Sequence, residues 1–172
     1  IQRMSTSNAT DADPGDLAAA ADDLGAARER VAEFGEGALE RLADAYEEFT
    51  RLLDRYEEPA TGDGDFKTFI EFQGNVETFV ERLPEELLLR ETFEEADDHL
   101  QQRRLTESDF AHVREQLEPV ADLVARLEER QQALERYRRT RTRIQGRLRD
   151  IEERIDALER LVEAATGALH VQ

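Results

Sequence analysis

Apolar and small residues recur along this chain at alternating spacings of three and four, the period of helices that each bury one face. The first run reads Leu17, Ala20, Leu24, Ala27, Val31, Phe34, Ala38, Leu42, Ala45, Phe49, Leu52 and Tyr56. Asp13-Pro14-Gly15-Asp16 opens it. Asp13 offers an acceptor to orphan amides, Pro14 suits the first helical position, and Asp16 sits at the positive end of the dipole. The run stops before Pro59 and the loop Ala60-Thr61-Gly62-Asp63-Gly64-Asp65. About 45 residues at 1.5 Å each predict a rod of roughly 67 Å.

Residues 65–83 predict a second helix through Phe66, Phe69, Ile70, Gln73, Val76, Phe79, Val80 and Leu83. Four of the chain's eight Phe lie within 66–79, which marks the densest core. Pro84 opens a third helix over about 85–104, with Leu87, Leu88, Leu89, Phe93, Ala96 and Leu100. Thr106 and Asp109 form a capping box with Asp in place of the usual Glu. Pro119 should kink or divide the last helical region near Glu118. The seam then continues through Val120, Val124, Leu127, Gln131, Leu134, Tyr137, Arg141, Ile144, Leu148, Ile151, Ile155, Leu158, Val162 and Ala165, and Thr166-Gly167 reads as its stop. Residues 119–165 span roughly 70 Å.

Two rods of matched length, with residues 59–118 between them, predict an all-α fold. It is an antiparallel, coiled-coil-like hairpin of two long helices, with two shorter helices packed at its connected end. No stretch alternates with a period of two, so no sheet is expected. The reading takes 1–13 as a disordered tail, 14–168 as a single elongated helical domain and 169–172 as a second tail. With Pro14 beside Ala165, the spacing break at Phe34-Ala38-Leu42 falls opposite residues 137–145. Gly35 and Gly37 leave room there for Arg141 at its seam position.

Composition changes the picture. The 172 residues hold 41 acids, 23 bases and no Cys, for a formal net charge of −18. That balance argues against a free-standing binder of bulk nucleic acid, and the lack of Cys removes disulfides and thiolate chemistry. No apolar run approaches the ~20 residues of a membrane span. Lys67 is the only lysine; the other 22 bases are Arg. Abundant carboxylates with almost no Lys resemble the proteins of extreme halophiles, a likeness of composition that names no family. It implies a cytoplasm at molar salt, where a Debye length of roughly 3 Å screens repulsion among carboxylates.

Candidate chemistry is sparse. Arg136, Arg138, Arg139, Arg141, Arg143, Arg147 and Arg149 fall within 136–149 with no acid among them. Arg136, Arg139, Arg143 and Arg147 form one stripe beside the seam. Such a stripe suits phosphate oxygens; alternatively it flanks the hairpin and pairs with Glu29, Glu33, Glu36 and Glu40. Leu53, Phe72, Leu88 and Leu89 fall off the simplest seams, so they either face a partner or fill the space between four helices. Asp109-x-x-His112 echoes half of a di-iron motif, but its second copy is missing and Glu95-x-x-x-His99 has the wrong spacing. Gly62-x-Gly64 lacks the residues of a phosphate loop, and Asp63 and Asp65 do not open a calcium loop. No catalytic motif and no cofactor motif is present. The expectation is a non-enzymatic interaction or scaffold module working through helix packing, with a protein partner or a second copy of itself. A nucleic-acid-associated factor using the Arg stripe is the alternative.

Overall fold

A computed structural model describes residues 13–62 and 64–170; of the tails expected at 1–13 and 169–172, residues 1–12 and 171–172 lie outside the described ones, while 169–170 belong to a helix. The described residues form six α-helices and no strand: α1 Pro14–Ala32, α2 Glu36–Tyr56, α3 Phe66–Arg82, α4 Arg90–Leu100, α5 Glu107–Gln116 and α6 Glu118–His170. The described residues divide into two units, one covering 27–130 and the other combining 13–26 with 131–170.

Local chemistry explains most boundaries. Asp13 and Asp16 cap α1 reciprocally, each backbone N–H donating to the other's carboxylate at 3.0 Å. Asp65 accepts from the Lys67 amide at 3.1 Å and starts α3. The capping box expected at Thr106 and Asp109 is present and starts α5. The division expected at Pro119 falls at Leu117, which places the proline in the first turn of α6, where its missing N–H costs nothing.

Three expectations are corrected. The first rod is not continuous: after Ala32 the chain turns, and Gly35 adopts φ 91° and ψ 137° as the residue before α2. The two successive spacings of four at Phe34-Ala38-Leu42 therefore mark a break in the helix itself. The third helix begins at Arg90, not after Pro84, because Leu89 takes a left-handed conformation with φ 54°. Finally, Thr166-Gly167 does not stop α6, which runs on to His170.

The core of the larger unit is aromatic. Phe49, Phe79 and Phe93 form a triad with ring centroids 5.3–5.8 Å apart. Phe72 stacks on Phe110 at 5.3 Å and meets Tyr56 at the same distance. Edge and offset geometries of this kind contribute about 0.5–1.5 kcal/mol per pair beyond the area buried. Gln73, expected on a buried face, instead donates to the Leu100 and Gln102 carbonyls at 2.9 and 2.7 Å, and so fixes the loop between α4 and α5.

Candidate functional site

The off-seam residues separate cleanly. Leu53 and Phe72 are fully buried, and Leu88 and Leu89 are half-buried against the same core. Leu53 and Phe72 thus fill the space between the helices, while Leu88 and Leu89 keep part of their surface exposed. Leu53 turns inward because the break at Gly35 resets the rotation of α2, whose buried face runs Leu39, Leu42, Ala45, Phe49, Leu53 and Tyr56. Phe72 is enclosed because α3 packs against both α2 and α4.

Arg136, Arg139, Arg143 and Arg147 are all exposed along α6. Glu33 and Glu36, two of the acids expected to face the stripe, hold Arg126 at 2.8 Å and Arg130 at 3.2 Å. Arg30 reaches Glu129 at 2.6 Å. Glu33 therefore meets Arg126, where the length-matched register places it opposite residue 146, a displacement of about 30 Å along the helix. The physical reason is anchoring at the other end. Leu117 and Val120 are locked in the core, and Arg114 bridges Asp54 and Glu57 at 2.8 and 3.1 Å, so packing sets the register and helix length does not. Arg126 also donates to the Arg30 carbonyl at 2.9 Å and lies 4.9 Å from the Phe34 ring centroid, closing the C-terminal end of α1. The Arg130 guanidinium, through its hydrogen bond and its charge, holds the Glu36 carboxyl below the usual range.

The consequence appears farther along α6. Ala133 is buried and Leu134, Tyr137, Thr140 and Ile144 are half-buried, so the inward face passes through Ala133 and Thr140, not the expected Gln131 and Arg141. Both of those are exposed. Burial then ends. Every residue from Arg147 to His170 is exposed, including Leu148 at 53 %, Ile151 at 41 %, Ile155 at 48 %, Leu158 at 61 % and Val162 at 63 %. Sequence reading places these five on a buried seam, but in the structure none of them is buried. Most helical stability comes from packing an apolar face, and contiguous exposed apolar surface marks interaction sites. Covering the exposed part of each is worth about 1 kcal/mol, so five positions offer on the order of 5 kcal/mol.

The histidine cluster has a structural explanation. His99 Nε2 lies 3.1 Å from Asp109 Oδ1, and the rings of His99 and His112 are 4.3 Å apart. Burial pushes the Asp109 carboxyl up, but the Thr106 amide and hydroxyl together with His99 outweigh it and hold the group below its usual range. Asp109 is spent on the cap of α5. Among the described residues no group of three or more His, Asp or Glu is placed to hold a metal ion. Nor is any helix among them long and apolar enough to cross a membrane.

Residues 17–172 match the model of a family described as a domain of unknown function, DUF7118. No curated protein and no solved structure matches the chain.

Proposed function

The chain belongs to the DUF7118 family, and from that premise we propose that it is a helix–helix interaction module, without catalysis of its own, that docks through the exposed seam of α6. The observation that carries this reading is the run from Arg147 to His170, which keeps helical geometry and apolar spacing yet is exposed throughout. Arg30–Glu129 and Glu33–Arg126, ordered in opposite chain directions, support a short antiparallel hairpin between the end of α1 and the start of α6. That hairpin uses up the early part of α6 and frees the late part for a partner. The acidic, Lys-poor composition supports a salt-rich cytoplasmic setting, where exclusion of salt from protein surface strengthens apolar docking.

A second reading rests on a specific observation. Glu33 and Glu36 are committed to Arg126 and Arg130. Arg136, Arg139 and Arg143 remain exposed and suited to a phosphate backbone.

The size of the native assembly in extract of the source cells separates the two. Under the docking reading the protein migrates above monomer size, I155D/L158D shifts it to monomer, and neither R139E/R143E nor nuclease does so. A wild type already at monomer size overturns the docking reading. A shift produced by nuclease and by R139E/R143E alone assigns the function to the Arg stripe.

A further inference from the structure

Resting on that docking role, we infer that the occupant of the α6 seam is a second copy of the chain, paired parallel and in register as a two-stranded coiled coil. From Ile144 the seam runs without interruption through Leu148, Ile151, Ile155, Leu158, Val162, Ala165 and Leu169, at spacings that alternate four and three. This is a heptad seam in which Leu148, Ile155 and Val162 take the first apolar position and Ile151, Leu158 and Ala165 the second. Gly146 and Gly167 both fall at the outermost position, away from the contact. The same face is partly covered up to Ile144 and exposed beyond it, so a second chain would take over the seam where intrachain burial stops.

Charge on the flanks selects the occupant. Arg147 and Arg154 precede the first apolar positions, whereas Glu152 and Glu159 follow the second. In a parallel pair these flanks face each other five residues apart. Arg147 then meets Glu152 of the second copy and Arg154 meets its Glu159, each contact occurring twice by two-fold symmetry. Antiparallel pairing of the same apolar layers instead sets Glu152 against Glu159 of the second copy, twice, and leaves Arg154 facing Leu161. Like charges so placed penalise that arrangement. Ile155 and Val162 at the first position with Leu158 at the second is the combination that favours two strands, although Leu148 and Ile151 have the reverse order. The N-terminal sequence IQRMSTSNATDA has no apolar repeat to fill this seam.

Sedimentation equilibrium of the full chain, in low and in molar KCl, tests the proposal. The expected mass is twice the 19.7 kDa of one chain. I155D/L158D should be monomeric with the helicity of 27–130 retained, since the two side chains are exposed and touch no core residue. At low salt R147E/R154E should raise the dissociation constant about tenfold, and adding E152R/E159R in the same chain should restore it. Orientation is read by cysteine linkage, which is unambiguous because the chain has no Cys. A165C alone should oxidise to a linked dimer. A wild-type monomer at every concentration and salt overturns self-pairing while leaving the docking role to the native-assembly measurement. A dimer that survives I155D/L158D, a trimer or tetramer, or linkage only when L148C and A165C chains are mixed overturns it equally.

Discussion

Asp109 shows how one side chain serves a cap at the expense of apparent chemistry. Its carboxylate accepts from the Thr106 amide at 2.8 Å and hydroxyl at 3.0 Å, and lies beside His99. Because its folded-state pKa lies below the ordinary 3.8, the ionised form is preferred in the folded protein. The stability it supplies is therefore fully present above that ordinary value and is lost as pH falls through the lower folded value. Urea unfolding followed from pH 6 to pH 2 should show this acid limb in the wild type and a shallower one in D109N; equal limbs would remove Asp109 from the account. The box itself was legible, since Thr106 and Asp109 stand at the required spacing. The contact with His99 was not, because it depends on how the loop 101–105 returns the chain, which no local spacing encodes. The same holds for Phe72, whose burial follows from helices on two sides of α3.

At the scale of elements, periodicity located the helices but not their breaks. The spacing discontinuity at Phe34-Ala38-Leu42 was visible as a change of seam, while its cause, a positive φ at Gly35, is a backbone property that hydrophobic spacing does not report. An added Cβ at Gly35 meets no atom within 4 Å, so substitution there tests conformation alone. G35A should destabilise by about 1–3 kcal/mol in chemical denaturation, with no loss of core packing; an unchanged midpoint would mean that the break is not held by glycine. Leu89 hides in the same way, because a left-handed leucine gives no sign in an apolar run. Register was the least legible quantity. Matching lengths pointed to Pro14 beside Ala165, whereas the core around Leu117 and Val120 and the Arg114 bridge draw Glu33 to Arg126 instead. That displacement converts an expected buried seam at Leu148–Val162 into an exposed one. The clue available beforehand was the heptad flanked by Arg147, Arg154, Glu152 and Glu159, a charge pattern that suits a partner rather than the acids of α1.

For the whole molecule, a net charge of −18 with one lysine ties stability to salt. Unscreened carboxylates repel in dilute buffer and lose that repulsion at molar ionic strength. Helicity by circular dichroism should rise as KCl goes from millimolar to molar, and a flat response would count against the proposed salt adaptation. The claim on which the functional account turns is that the late part of α6 docks against protein. Leu161 flanks the seam and is 67 % exposed, so a photocrosslinking residue in its place reports on whatever lies there without replacing a seam side chain. Irradiation in the source cells should join it to a helical segment of a protein, its own second copy or another chain, and I155D/L158D should abolish the product. Crosslinking to solvent alone, or a product indifferent to those substitutions, would contradict the account.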